Sequence, residues 1–216
     1  MTVKDRHKRQ AAEAALDFIT PGVCLGVGSG STVHYFIQSL LSVKQKIDVV
    51  VASSQATAKS LEAAGFRCAN DVAGLDLYVD GADEVDDNRQ LIKGGGGAHA
   101  REKVLACSAK KFVCIVDGEK RVHRLGKFSL PVEVLPMARG FAARRLAAAG
   151  GSPQWRESFV TDNGNWILDV ALLDLTDAVK METEINAIAG VLDNGLFARR
   201  KADVVLIADN NGVRRE

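Results

Sequence analysis

The sequence predicts an α/β fold: a doubly wound, mostly parallel sheet with an inserted α+β domain near its C-terminal end. Three observations predict it. Over roughly the first 130 residues, short apolar strands alternate with amphipathic helices. After Pro131 the order changes to β-α-β-β-α-β. A final apolar strand of the buried type then closes the chain, as a strand returning to the first sheet would.

The elements follow in order. Residues 4–19 place Ala11, Ala12, Ala15, Leu16 and Ile19 on one helical face, and Pro21-Gly22 ends the helix. Residues 23–27 form a strand, 28–31 a loop and 32–41 a helix. Residues 47–52 form a strand, 54–64 a helix closed by Gly65, and 75–79 a strand. Residues 93–97 form a loop, 98–109 a helix and 112–116 a strand. This alternation is Rossmann-like, with ligands expected beyond the C-terminal strand ends. In the second part, PVEVL is a strand and 138–149 a helix stopped by Gly150-Gly151. Residues 159–161 and 166–170 flank Asp162-Asn163-Gly164-Asn165, a hairpin turn. Residues 177–189 form a helix with Thr176 or Asp177 as N-cap and Gly190 beyond its end. Residues 196–198 read as the closing strand of this ferredoxin-like unit, after another Asn-Gly turn. Residues 202–208 are the returning strand. The expected domains are 1–129 with 200–216, and the insert 130–199.

Composition narrows the function classes. The chain has 216 residues and a formal net charge of +1, so no global field draws it to nucleic acid or an anionic membrane. Hydrophobic residues at 47% and charged residues at 25% exclude disorder over most of the chain. Apolar runs such as Val49-Val50-Val51-Ala52 fall far short of the about 20 residues that span a bilayer. The basic start MTVKDRHKRQ is followed by Glu13 and Asp17, which argues against export. Cys24, Cys68, Cys107 and Cys114 lack CxxC spacing and read as reduced, buried thiols of a cytoplasmic protein.

Three segments carry candidate chemistry. The first is GVGSGSTV, residues 26–33, between a strand and a helix. Its glycines leave room for an anion, and the helix amides with Ser29, Ser31 and Thr32 suit a phosphate. It is neither a Walker A loop nor a nucleophile elbow. The second strand ends in VVVASS, without the acidic residue that would bind a dinucleotide ribose, so a sugar phosphate or mononucleotide is favoured over NAD. A plain tight turn is the alternative.

The second segment is YVDGADEVDD, residues 78–87. Asp80 and Asp83 flank Gly81-Ala82, a turn that aims both carboxylates inward, where like charges push pKa values apart and divide acid from base work. A divalent metal would find only His99 nearby. Asp86, Asp87 and Asn88 fit a solvated acidic loop better.

The third is LIKGGGGAHAREK, residues 91–103. Four consecutive glycines are costly to order, and close approach to a ligand would offset that cost. Lys93 precedes them, the amides of Gly94, Gly95 and Gly96 form an anion-receiving concavity, and Glu102 lies one turn into the helix. A carboxylate base beside oxyanion donors is the constellation for abstracting a proton alpha to a carbonyl. A flexible loop with an exposed Glu is the alternative. Lys8, with Arg6 and Arg9, and Lys120 belong to a solvated face or reach a phosphate at the sheet end. His7, His34, His99 and His123 show no ligand spacing. Trp155 and Trp166 read as core of the insert, and Arg199-Arg200-Lys201 as a solvated loop.

Together GVGSGST, SSQAT, YVDGADE, IKGGGGAHAREK, LGKFSLPVEVLPMA, VTDNGN and GLFARRKADVVLI resemble the type A ribose-5-phosphate isomerases, in order and over essentially the whole chain. The resemblance implies interconversion of D-ribose 5-phosphate and D-ribulose 5-phosphate in the non-oxidative pentose phosphate pathway. It implies Glu102 as proton acceptor, and Asp80 and Asp83 as the sugar-binding carboxylates. Lys93 with Gly94, Gly95 and Gly96 would hold the enediolate. Ser29, Gly30, Ser31 and Thr32, with Gly81, Ala82, Lys8 and Lys120, would complete the substrate site. Ser29 stands where relatives often have Thr, and Gly97-Ala98-His99-Ala100 departs from commoner versions. No redox cofactor and no metal are expected, and the partner is a second copy of the chain in a homodimer. Two other classes are a CoA-transferase with a Glu nucleophile and a non-catalytic sugar-phosphate sensor. The DGADE segment argues against the first, and the lack of room for a DNA-binding helix pair ahead of residue 23 against the second.

Overall fold

A computed structural model describes residues 2–216, and their contacts divide the chain into two compact units. The first comprises residues 1–82, 101–121 and 202–216, and the second residues 83–100 and 122–201.

In the first unit, Thr2 and Asp5 cap α1 (Val3–Ala14) reciprocally, each side chain accepting from the other's backbone N–H. Then come β1 (Val23–Val27), α2 (Ser31–Leu40), β2 (Ile47–Ala52), α3 (Gln55–Ala63) with Ser54 as N-cap, β3 (Cys68–Ala69) and β4 (Leu75–Asp80). The chain enters the second unit through β5 (Glu84–Val85) and β6 (Leu91–Ile92), and returns along α4 (His99–Ser108) into β7 (Ala109–Asp117). The seven-stranded sheet is completed by β13 (Val204–Asp209) and β14 (Gly212–Arg215), in the order β14-β13-β7-β4-β1-β2-β3. Every pair in it is parallel except β13 with β14. β1 leads outward through β2 to β3, whereas β4 leads the other way through β7 to β13. The strand order therefore reverses between β1 and β4, the place where an open α/β sheet parts to admit a ligand. Leu25, Phe36, Leu40, Leu61 and Ile115 are fully buried in its core, each contributing about 1.5–3 kcal/mol.

The second unit holds a four-stranded antiparallel sheet built from β8 (Leu130–Val134), β9 (Ser152–Trp155), β10 (Trp166–Ala171) and β11 (Val191–Asn194), in the order β11-β8-β10-β9. With α5 (Arg139–Ala148) and α6 (Ala178–Asn186) this is a ferredoxin-like βαββαβ unit. Leu130, Val132, Val134, Leu168 and Val170 form its core with Leu146 and Ile185 from the helices. A second, three-stranded sheet joins β12 (Leu196–Phe197), β6 and β5.

Five expectations differ from the observed fold. Residues 83–100 and 122–129 belong with the second unit, because β5 pairs with β6 and β6 with β12, and Val122 N–H donates to Val85 O at 2.9 Å. Residues 196–198 do not close the βαββαβ sheet; Val191–Asn194 does, with a register shift between Val191 and Asp193. Residues 159–161 are not a strand, and β10 pairs with Ser152–Trp155 instead. The Asp-Asn-Gly-Asn turn exists, closed by Thr161 N–H on Asn165 O at 2.9 Å. It is held by the fully buried Glu133, whose Oε1 accepts from Thr161 Oγ1 at 2.8 Å and from Asn163 and Asn165 Nδ2 at 3.0 Å each. These side-chain bonds replace a ladder. Finally, none of the four cysteines forms a disulfide, but only Cys114 is buried, and Cys107 is exposed. Trp155 is exposed rather than core, and it stacks at 5.0 Å on Trp166, which packs against the core, with Arg139 over both rings.

Candidate active site

The first unit gathers its candidates around the loop after β1. Gly28 N–H donates to Val79 O at 2.9 Å and Gly28 O accepts from the buried Thr57 Oγ1 at 2.9 Å, so the loop is stitched to β4 and α3. Ser29 then serves two carboxylates. Its N–H donates to Asp80 Oδ1 at 3.0 Å, and its Oγ donates to Glu102 Oε1 at 2.6 Å. Glu102 lies in the first turn of α4, where the helix dipole favours a negative charge, and is 3% exposed. Asp80 is completely buried at the end of β4. Its Oδ1 also accepts from Gly81 N–H at 2.7 Å, and its Oδ2 from the Tyr78 hydroxyl. Donors to both oxygens compensate the loss of water around this carboxylate.

Burial pushes the Tyr78 hydroxyl well above its ordinary value of 10.0, and the Asp80 and Glu102 carboxylates push it the same way. A raised folded-state pKa gives stability that is complete below the unfolded value and is lost as pH climbs beyond it. The urea midpoint should therefore fall between about pH 9 and about pH 11 more steeply in the wild type than in Tyr78→Phe. Parallel pH profiles of the two proteins would contradict this.

At the other side of the loop, Gly30 adopts φ +99° and α2 starts without a side-chain cap. Its first-turn amides are therefore available beside the Ser31 and Thr32 hydroxyls, and Lys8 Nζ donates to Ser31 Oγ at 2.8 Å. Amides, hydroxyls and an ammonium at a helix N-terminus suit a phosphate. Lys120 ends the short turn after β7, where its charge lowers the Glu119 pKa, behind the larger effect of Lys4.

The second unit carries the glycine loop. Gly94 and Gly97 take φ +105° and +78°, and Gly97 N–H closes the turn on Gly94 O at 2.9 Å. Gly95 N–H donates to Asp83 Oδ2 at 2.8 Å. A Cβ on Gly94 would come within 2.7 Å of the buried His99 ring, and one on Gly95 within 2.9 Å of Asp83, whereas Gly96 faces open space. Lys93 is 3% exposed, with its Nζ 5.5 Å from the centre of the Phe197 ring.

A family model described as ribose 5-phosphate isomerase A (phosphoriboisomerase A) matches residues 49–212. The chain belongs to this family. It is 50% identical to the ribose-5-phosphate isomerase A of Dichelobacter nodosus over 207 residues, 95% of each chain. The solved ribose 5-phosphate isomerase A of Neisseria gonorrhoeae superposes with a TM-score of 0.97 at 45% identity, covering 100% of this chain and 97% of that one. A further solved D-ribose-5-phosphate isomerase, in complex with phospho-erythronic acid, gives 0.94 at 36% identity, covering 100% and 99%. Neither the CoA-transferase nor the sensor reading is favoured by these relatives.

Within this isomerase family member, the first unit joins Ser29, Asp80, Glu102 and Tyr78 in one bonded group and Lys8 to Ser31, and the second joins Asp83 to Gly95. Sequence reasoning passed over Tyr78, Thr57 and Arg156. Tyr78 had a signal: two residues before Asp80 on one strand, it faces the same way. Thr57 lies in SSQAT, a segment given no chemistry, and Arg156 follows β9 in no motif at all.

Proposed function

We propose that the chain interconverts D-ribose 5-phosphate and D-ribulose 5-phosphate by proton transfer through an enediolate. Glu102 takes the C2 proton of the open-chain aldose and returns it to C1. Lys93 and the glycine amides carry the negative charge on the intermediate oxygen, without which a carboxylate is too weak a base for the step. The phosphate sits at the start of α2 with Lys8, Ser31 and Thr32, and Lys120 adds charge to the phosphate end. Asp83 handles the hydroxyl protons, first during ring opening and then from O2 to O1 of the intermediate, so that the ketone forms at C2. Asp80, whose oxygens are occupied by Ser29, Gly81 and Tyr78, anchors the loop that presents Ser29.

The observation that carries this reading is the 2.6 Å bond from Ser29 Oγ to Glu102, a buried carboxylate held beside a phosphate-type loop. The complex of a relative with phospho-erythronic acid supports the substrate class, since a phosphorylated sugar acid carries a carboxylate where an enediolate carries its charge. C1 is reduced as C2 is oxidised within one molecule, so the reaction needs no redox cofactor, and proton transfer of this kind needs no metal. The enzyme works as a cytoplasmic homodimer, which sedimentation of the purified chain tests. For the reaction itself, the chain is incubated with D-ribose 5-phosphate with and without EDTA. Ketose should form at the same rate in both; no ketose would sink the reading.

A further inference from the structure

The glycine loop is gripped from behind by Arg156. The guanidinium is bound in fork geometry by Asp169, Nε to Oδ2 at 2.8 Å and Nη2 to Oδ1 at 2.5 Å. Its remaining nitrogen, Nη1, donates to Gly94 O at 3.3 Å and to Gly95 O at 3.1 Å. Phe159 lies against the guanidinium at 5.3 Å and fills the space a side chain on Gly97 would need.

Peptide planarity turns this grip into aim. In a trans peptide the C=O and the following N–H point in opposite directions. Holding Gly94 C=O on Arg156 therefore directs Gly95 N–H the other way, onto Asp83 at 2.8 Å. Holding Gly95 C=O does the same for Gly96 N–H, at an exposed residue with open space around it. A cation on the two carbonyls also polarises both peptides, making their N–H groups stronger donors. Asp169 balances the charge, so the device adds direction without a net charge. Four glycines in a row would otherwise sample many orientations.

We propose that Arg156 is a positioning residue for the isomerisation. It holds the Gly95 N–H on Asp83 and fixes the Gly96 N–H in the direction that receives the negative oxygen of the intermediate, and Asp169 fixes Arg156. This rests on the isomerase reading. Donors fixed in advance bind the intermediate better than the substrate, so their loss should appear in kcat and in the affinity of an enediolate-like acid more than in KM.

Arg156→Ala, Arg156→Lys and Asp169→Asn are compared with the wild type for kcat, for KM with D-ribose 5-phosphate and for Ki with phospho-erythronic acid. Arg156→Ala should lose roughly 10–100-fold in kcat and about tenfold in Ki, with KM within about threefold. Lysine has no fork to hold Asp169 and both carbonyls, so Arg156→Lys should show the same split at about fivefold. It also carries the test if Arg156→Ala does not fold. Millimolar guanidinium should restore part of the alanine variant's kcat. The proposal is overturned if kcat stays within about threefold of wild type in Arg156→Lys, or if kcat falls with Ki unchanged, which is the mark of fewer intact molecules. A wild type that makes no ketose would instead overturn the isomerase reading itself.

Discussion

Glu102→Gln is expected to lower kcat by about 10²–10⁴-fold, the share general-base catalysis commonly supplies, while leaving the fold intact. Glutamine has the shape of the carboxylate and keeps an oxygen that accepts from Ser29 Oγ, now at 2.6 Å. The buried site therefore loses a base without losing its hydrogen bond, and the melting temperature should move by only a few degrees. KM should change little, because the proposed phosphate site at the start of α2 is made of other groups. Coupled detection of ketose, with circular dichroism as the control, measures both. A kcat within threefold of wild type would remove Glu102 from the reaction. Ser29→Ala is the companion: it leaves the base but frees one carboxylate oxygen, so a smaller loss in kcat is expected.

The parts of the fold that were legible are those where local chemistry and global position agree. The strands after Gly22, Lys46 and Gly74 are apolar and bounded by turn or polar residues, and the helices at Ser54 and Asp177 start on side chains that accept from their own amides. The illegible parts depend on distant pairing. β5 and β6 are two residues each; β6 is a strand through its ladder with β12, more than a hundred positions on, and β5 only through its ladder with β6. β11 escaped because its register shift breaks the alternation, with Leu192 turned to solvent. The candidate site divides the same way. The residue types for proton transfer stood in three motifs, but which of two aspartates is buried is not a property of the motif. It follows from β4 running one residue further than expected, which places Asp80 in the sheet facing the same way as Tyr78. Arg156 acts on carbonyl oxygens some sixty positions away, a relation that leaves no periodic or compositional trace.

Gly28→Ala separates two uses of glycine in a single loop. Gly30 needs its glycine for the backbone: φ is +99° with ψ 179° and nothing lies within 4 Å of the place an added methyl would take, so Gly30→Ala meets only the backbone strain of that region, about 1–3 kcal/mol. Gly28 has an ordinary φ, and its restriction is space. A Cβ there would overlap the Asp80 carboxyl group. Asp80 must then leave the N–H groups of Ser29 and Gly81 and the Tyr78 hydroxyl while still buried. Stranding a buried charge typically costs about 3–5 kcal/mol, so Gly28→Ala should be the more damaging of the two in a urea titration. Ser29 loses its backbone anchor in the same step, and a displacement of about 1 Å at a reacting group lowers the rate on the order of 10²-fold. Asp80→Ala supplies the decisive control. With the carboxylate gone the new methyl has room, and the second substitution should cost far less than it does alone. Additive free energies in that double-mutant cycle would show that Gly28 is conformationally required after all, and that the packing of Asp80 against the loop is not what the glycine serves.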